Sequence, residues 1–200
     1  MPNTGDAAGS PPGSGKVIYP VRGFPAITRE TSTRSNPWRS VTNIRAAIST
    51  ALLRAEVDAV LADWAWHLDH GDYDALVELF TDDALFITGS VELRGRSAIK
   101  NRYTERVVAR STRHTYSGLR VNPEAGDPSA AADGRPATVR ARSTWVNFAV
   151  NGHVPVDDVG VYLVADFDDV LTWCEDDCWR ISERRIVPVF RDPARAPVTS

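Results

Sequence analysis

The sequence predicts an α+β domain, because helical patterns come first and strand patterns follow. Residues 40–70 contain no Pro or Gly and repeat apolar residues at helical spacing. Four later runs are rich in Val, Thr, Tyr and Trp, which favour strands. Helices followed by successive strands indicate an antiparallel sheet rather than alternating βαβ units. A chain of 200 residues with 42% hydrophobic residues is large enough for one core.

Three helices are predicted. The buried face of the first consists of apolar residues three or four positions apart: Val57, Val60, Leu61, Trp64 and Leu68. Gly71 ends this helix, and Asp72 is placed to cap the free amides of a short second helix, DYDALVELF. The segment GRSAIKNRYTERVVAR, residues 95–110, predicts the third helix.

The predicted sheet begins with ALFITG, residues 84–89. The four longer runs that follow are RHTYSGLRV, PATVRARSTWVNFAV, GVYLVADFDDVLTW and CWRISERRIVPVF. Two polar segments rich in Pro and Gly, residues 122–136 and 151–158, separate the middle runs and predict surface loops.

The chain divides into a long body and two short ends. Residues 1–40 predict a flexible or arm-like extension, because their first part is small, polar and broken by Pro and Gly. The folded domain is predicted over residues 41–192, and residues 193–200 are predicted to be a tail. We find no apolar run typical of a signal peptide or a membrane span, so a soluble, cytoplasmic protein is expected.

Charge and cysteine content exclude several classes of partner. A net charge of −3 gives no global attraction for nucleic acid or an anionic membrane, so neither is expected as a partner. The recurrence of Arg102, Arg106 and Arg110 every fourth residue predicts a solvated helix face. Cys174 and Cys178 lack the spacing and the companion ligands of a zinc site, and free thiols are expected. No metal site and no cofactor motif is predicted.

Four segments resemble a known group of proteins: HLDHGDYDALVELFTDDALF, LRGRSAIKNRY, RHTYSGLRV and DDCWRISERRI. They are similar to the nuclear transport factor 2-like (NTF2-like) superfamily, and within it to the SnoaL-like enzymes such as polyketide cyclases, scytalone dehydratase and bile-acid dehydratase. The resemblance spans about residues 50–190. It implies a cone, in which three N-terminal helices pack in a strongly curved, mostly antiparallel sheet and leave an open apolar pocket.

The resemblance also implies a catalytic pair. In dehydratase-like members an Asp at the end of the first helix hydrogen-bonds to a His on the sheet, and Asp69 and His114 occupy the matching positions. A carboxylate on one imidazole nitrogen fixes the tautomer and leaves the other nitrogen as an acid or base. The structural alternatives are that Asp69 binds backbone amides around Gly71 and that His114 has a packing role.

Other positions depart from the relatives' patterns. Scytalone dehydratase has a second His near the place of Ser143, and dehydratases have a Tyr where this chain has Trp64. The catalytic base of ketosteroid isomerases would fall near Thr88, which is not a base. The Arg-x-Asp of epoxide hydrolases is replaced by Arg142, Ser143 and Thr144. These differences disfavour two-histidine, ketosteroid isomerase and epoxide hydrolase chemistry. The residues expected to line the substrate site are Trp64, Tyr116, Ser143, Trp145 and Asp168.

Two functions follow from the resemblance. The first is a cofactor-independent lyase or isomerase of secondary metabolism, which dehydrates, isomerises or cyclises an apolar, ring-containing substrate. The second is a non-catalytic protein. It would be a ligand-binding NTF2-like protein or the counterpart of the beta subunit of aromatic-ring-hydroxylating dioxygenases, which assembles with a large iron-containing subunit. In either case a homodimer or homotrimer is expected, because the open sheet face of this fold commonly pairs.

Overall fold

The computed structural model describes residues 44–106, 108–124, 135–157 and 160–198. The predicted arm, residues 1–40, lies outside these ranges. The described helices are α1 Ile44–His70, α2 Tyr73–Glu78 and α3 Gly95–Thr104. The strands are β1 Phe80–Thr88, β2 Val91–Arg94, β3 Arg110–Pro123, β4 Thr138–Asn151, β5 Val161–Trp173 and β6 Trp179–Arg191. None of these helices is both long and apolar enough to cross a membrane.

The six strands form one curved, mixed sheet in the order β2-β1-β6-β5-β4-β3. Only the β1–β6 pairing is parallel among the described strands, and the other neighbours are antiparallel. Three helices and this mostly antiparallel sheet confirm the predicted α+β class.

One face of the sheet carries the core. Trp145 of β4 is paired with Ala165 of β5 and opposite Tyr116 of β3, so all three lie on the same face. The helix α1 packs against this face with Val57, Leu61, Trp64, Ala65 and Leu68, all of them buried. Four of these residues were predicted for the buried face, while Val60 is only partly buried.

The turn after α1 forms as predicted. Gly71 has a φ of +75°, a conformation that favours Gly, and it reverses the chain after His70. The Asp72 carboxylate then accepts a hydrogen bond from the Ala75 backbone N–H at 3.1 Å and caps α2.

The third helix is shorter than predicted, because α3 ends at Thr104 and β3 begins at Arg110. Pairing of Arg110 with Asn151 of β4 extends the sheet into a segment whose pattern indicated a helix. The four-residue strand β2 was not predicted, since so short a segment carries little periodicity. Gly95 follows it with a φ of +78°, and a Cβ there would lie 3.1 Å from the Asp82 carbonyl oxygen.

The segment after β6, which the sequence predicted as a tail, contacts the sheet. A single 3-10 turn spans Pro193–Arg195, and the Asp192 carboxylate accepts a hydrogen bond from the Ala194 N–H at 2.9 Å. The Asn151 side-chain amide donates to the Ala196 carbonyl oxygen at 2.8 Å. These contacts bring Pro197 to the rim of the cavity described next.

Candidate functional site

A cavity of about 110 Å³ lies between the end of α1 and the inner face of the sheet. Its apolar wall includes Trp64, Leu68, Phe86, Trp145, Phe167 and Ile186. Trp64 contacts Trp145 edge to face at a ring-centroid distance of 5.3 Å, and Phe167 stacks on Trp145 at 4.9 Å. An apolar cavity of roughly 150 Å³ holds a benzene molecule, so this smaller space sets one small ring as the upper limit in this conformation. The core and the cavity wall therefore share the same aromatic side chains.

His114 and Asp69 form a buried pair at this cavity. The His114 Nδ1 lies 2.6 Å from the Asp69 Oδ1, and the two side chains are 7% and 6% exposed. The His114 backbone N–H donates to Asp69 Oδ2 at 2.7 Å, and the Thr112 hydroxyl donates to Oδ1 at 2.7 Å. Three donors thus converge on one carboxylate.

The secondary structure explains why these groups meet. Asp69 is the second-to-last residue of α1, and Thr112 and His114 are two residues apart on β3, so their side chains share a face of that strand. The Arg113 guanidinium donates to the Asp69 backbone carbonyl at 3.1 Å and ties the helix end to the same strand. The helix end is consequently held against β3 by both its side chain and its backbone.

The hydrogen bonds keep Asp69 ionised. Burial acts to raise the pKa of its carboxyl group, but the hydrogen bond and charge of His114 and the Thr112 hydroxyl outweigh it, so the pKa is lower than its ordinary value of 3.8. A charged Asp69 accepts from Nδ1–H, which leaves the imidazole Nε2 as the second nitrogen. Nε2 has no hydrogen-bond partner among the described residues, and His114 lines the cavity. The arrangement therefore presents one unengaged ring nitrogen to a bound molecule.

A second buried pair, Asp169 and Arg184, lies behind the aromatic wall and was missed by the sequence analysis. Both residues are completely buried, and the guanidinium donates two bonds of 2.8 Å to the carboxylate. The Arg184 Cζ lies 4.2 Å from the Trp64 ring and 5.1 Å from the Phe167 ring. Burial raises the pKa of Asp169, and the charge of Arg184 opposes that shift. The strand register offered a signal, because Asp169 shares the inward face of β5 with Phe167.

The arginine series forms the predicted solvated helix face only at Arg102, which is exposed on α3. Arg102, Arg106 and Arg110 all line the cavity, together with Asn147 and Thr88. Only Arg102 belongs to α3, whereas Arg106 follows the helix and Arg110 begins β3. Their spacing matched a helix, but the helix ends before two of them.

Three of the five residues predicted to line the substrate site lie outside the cavity lining. The Tyr116 hydroxyl donates to the Asp58 carboxylate at 2.8 Å, and burial together with this bond raises the Tyr116 pKa. Ser143 accepts a hydrogen bond from the Trp145 indole N–H at 2.8 Å. Asp168 faces away and pairs with two arginines on β4. The other two predicted residues, Trp64 and Trp145, line the cavity with His114.

Metal-ligating groups do not cluster in the described ranges, where no three His, Cys, Asp or Glu side chains are arranged to hold an ion. The side chains present at the site are the His114 imidazole, the Asp69 carboxylate that binds it, and the guanidinium groups of the arginines.

Comparison with known proteins agrees with this architecture. The family described as "SnoaL-like domain" matches residues 49–185. No curated protein sequence matches the chain. Three similar solved structures come from two bacteria. ActVI-ORFA of Streptomyces coelicolor is 20% identical, with 68% of this chain and 97% of that chain covered and a TM-score of 0.56.

The other two are from Novosphingobium aromaticivorans. A scytalone dehydratase-like protein is 16% identical, with 77% of this chain and 94% of that chain covered and a TM-score of 0.60. An NTF2-like protein with a cystatin-like fold is 20% identical, with coverage of 78% and 94% and a TM-score of 0.56. These similarities confirm the NTF2-like fold that the sequence resemblance implied.

Proposed function

The chain belongs to the SnoaL-like domain family, and we propose that it is an enzyme that moves a proton on a small, ring-containing molecule without a bound cofactor. The proposed reaction class is dehydration, isomerisation or cyclisation. The observation that carries the proposal is the buried His114–Asp69 pair with a 2.6 Å contact at the edge of an aromatic cavity.

In a dehydration, His114 Nε2 would take the proton from a carbon next to a carbonyl group. The C–H electrons form the new C=C bond, the C–O bond at the neighbouring carbon breaks, and the leaving hydroxide receives a proton to become water. The same imidazolium supplies that proton, so a single histidine completes the cycle. Isomerisation uses the first proton transfer and returns the proton to a different carbon.

Asp69 would orient the imidazole and stabilise its positive charge after proton uptake. Its lowered pKa supports this role, because a carboxyl group that stays ionised does not compete for the transferred proton. The hydrogen bonds from Thr112 and from the His114 backbone support it further, since they fix the carboxylate independently of the imidazole. Asp69 is thus assigned as a positioning residue and His114 as the catalytic residue.

The aromatic wall supports a flat apolar substrate. Trp64 and Trp145 line the cavity with Phe167, and the Trp64 ring lies 5.4 Å from the His114 ring, centroid to centroid. A flat molecule seated on this wall would lie close to the base. A positioned acid–base group typically contributes about 10² to 10⁴ in rate.

The test compares His114→Gln and Asp69→Asn with His70→Gln in the full chain. His70 is exposed and stacks on Trp66 outside the cavity lining, so it is a matched control for the loss of an imidazole. Each variant is incubated with a panel of one- and two-ring β-hydroxy ketones, and the conjugated product is followed by its ultraviolet absorbance. Deuterium incorporation next to the carbonyl, read by NMR, detects proton abstraction without elimination.

We expect His114→Gln to lower turnover by about 10² to 10⁴, Asp69→Asn to lower it by a smaller factor, and His70→Gln to leave it unchanged. Equal turnover and equal deuterium exchange in all four proteins, with folding verified by circular dichroism, would exclude the catalytic proposal. It would instead favour a ligand-binding or subunit role.

A further inference from the structure

We propose that the arginine side of the cavity is a subsite for a carboxylate carried by the ring-containing ligand. The inference deepens the function proposed above, because it names the chemical class of molecule that this same site takes. The subsite consists of Arg102, Arg106, Arg110 and Asn147, which line the cavity opposite no acidic side chain. The Asp69 carboxylate, which binds the cavity-lining His114, is engaged by His114 and Thr112.

What sets these three arginines apart is that they line one cavity without an acidic partner, whereas several other described arginines pair with a carboxylate. Arg96, Arg140 and Arg180 each pair with at least one carboxylate within 4 Å. Among the described residues, none makes such a pair with Arg102, Arg106 or Arg110. Three uncompensated positive charges around one small cavity repel one another, so a bound anion would lower the free energy of this arrangement.

Arg110 is the most constrained of the three. Its Nη1 donates to the Asn151 side chain at 2.8 Å, and its Cζ lies 4.7 Å from the Tyr162 ring. Its Nη2 is buried and has no hydrogen-bond partner in the described structure. Burial, followed by the charge of Arg106, lowers the pKa of the Arg110 guanidinium. The guanidinium is thus fixed by neighbours that leave one donor nitrogen unused.

The unpartnered polar atoms of the described residues cluster at this cavity. The Trp64 Nε1 and the Asn147 Oδ1 are also buried without a partner, and both side chains line the cavity with Arg110. The fourth such atom is the Nη1 of Arg184, which packs against the Trp64 ring. A buried donor or acceptor left unpaired costs about 1–3 kcal/mol, so such atoms usually mark the place of a ligand or a water molecule.

The arginines and the aromatic wall together favour a ligand in which a carboxylate is attached to an apolar ring. A guanidinium matches a planar carboxylate through two parallel N–H donors, and the aromatic wall beside it favours a flat hydrophobic body. A free inorganic anion would satisfy the arginines but would make no apolar contact with Trp64, Trp145 and Phe167. The cavity of about 110 Å³ limits the body to about one ring in this conformation.

The test uses benzoate and benzamide as matched probes, since they differ in charge and hardly in size. Binding to the full chain is measured by titration, with the ¹H–¹⁵N signal of the Trp64 indole as the reporter. The variants are Arg110→Gln and Arg110→Lys, and Arg120→Gln is the control. Arg120 is exposed on the same strand and lies outside the cavity lining. In a further titration, inorganic phosphate is added as a competitor of bound benzoate.

We expect benzoate to bind at least about tenfold more tightly than benzamide, the size of one charge-assisted hydrogen bond. Arg110→Gln should remove most of that preference, Arg110→Lys should restore part of it, and Arg120→Gln should retain it. Raising the salt concentration should weaken the binding of benzoate and leave the binding of benzamide unchanged.

Equal affinity of the two probes, or no shift of the Trp64 signal by benzoate, would overturn the inference. If phosphate displaces benzoate and binds as tightly as benzoate does, the inference is also overturned, and the site is a general anion site. His114→Gln separates this inference from the proposed function. A benzoate preference retained in that variant supports the subsite whether or not turnover depends on His114, and turnover without any benzoate preference supports catalysis alone.

Discussion

Two buried carboxylates, Asp69 and Asp169, each bind a side chain that contacts the Trp64 ring, and they differ in what holds them. Asp69 accepts hydrogen bonds from an imidazole, a hydroxyl and a backbone N–H. Asp169 accepts two bonds, and both come from Arg184. Trp64 contacts the partner of each carboxylate, with its ring 5.4 Å from the His114 ring and 4.2 Å from the Arg184 Cζ. Trp64 is thus in contact with both pairs, although the two carboxylates are held by different kinds of donor.

The difference decides which pair can exchange a proton. Arginine stays protonated in proteins, so the Asp169–Arg184 pair has a fixed charge and a fixed geometry. Histidine gains and loses a proton near neutral pH, and Asp69 keeps two donors whatever the state of His114. A carboxylate that keeps other donors can therefore hold a histidine that gains and loses a proton. A carboxylate held by a single arginine has a structural role instead. We infer that Arg184 fixes the Trp64 ring from behind and that His114 acts in front of it.

The largest expected effect concerns the buried Asp169–Arg184 pair. Arg184→Met should destabilise the protein by about 3–5 kcal/mol, because it leaves a buried carboxylate without its cation. The free energy of unfolding is measured by urea titration with tryptophan fluorescence. Replacement of both partners, Arg184→Met with Asp169→Leu, should cost less than the single change, because no buried charge remains.

A single-variant cost below about 1 kcal/mol would contradict this account, since it would mean that Asp169 finds other partners or water. The matched control is Arg185→Met at the neighbouring position of β6, which is exposed and pairs with Glu183 at 3.4 Å. That change should stay within about 1 kcal/mol of the parent protein.

An intermediate effect is expected for the acid stability contributed by Asp69. Its folded-state pKa lies below the ordinary value of 3.8, so the ionised carboxylate stabilises the fold above that pH. This contribution is lost as the pH falls from the unfolded-state pKa through the folded-state pKa. Asp69→Asn removes it, so the variant should lose less stability than the parent over the same acid range.

The measurement is the unfolding free energy from urea titrations at pH values from about 6 down to about 2. The difference between the parent protein and Asp69→Asn should be constant at the upper end and shrink below pH 3.8. Parallel curves throughout the acid range would show that the Asp69 carboxyl group has the same pKa in the folded and unfolded states.

Much of the fold was predictable because its signals are local. The spacing of Val57, Leu61, Trp64 and Leu68, the φ-positive turn at Gly71 and the Asp72 cap are all set by near neighbours in sequence. The family resemblance supplied the Asp69–His114 pair, whose 2.6 Å contact joins residues 45 positions apart. The strand β2 pairs with the preceding strand β1, but its four residues are too few for a periodic signal. The end of α3 depends instead on the pairing of Arg110 with the distant strand β4, which local propensity did not reveal.

The lining of the cavity was harder to predict, because strand alternation defines two faces without saying which is concave. Ser143, Trp145 and Asn147 share a face, and only pairing with β5 fixes its partners as Phe167, Ala165 and Leu163. That register turns Asp168 outward and Asp169 inward. A shift of one residue would reverse the roles of these two adjacent aspartates. Asp168 was expected at the site from the resemblance, because relatives place polar pocket groups near that position.

The smallest expected effect tests this alternation directly. Asp168 pairs with Arg140 at 3.0 Å and with Arg142 at 3.2 Å on the outer face, where both arginines are partly or largely exposed. Asp168→Asn should therefore change the unfolding free energy by about 0–1 kcal/mol and leave turnover and benzoate binding unaffected. Asp169→Asn, one residue along the same strand, should cost several times more, because it leaves the Arg184 charge buried without its counterion. The two variants alter the same chemical group, so a similar loss of stability in both, measured under identical urea conditions, would place both side chains in similar surroundings and refute the register on which the cavity depends.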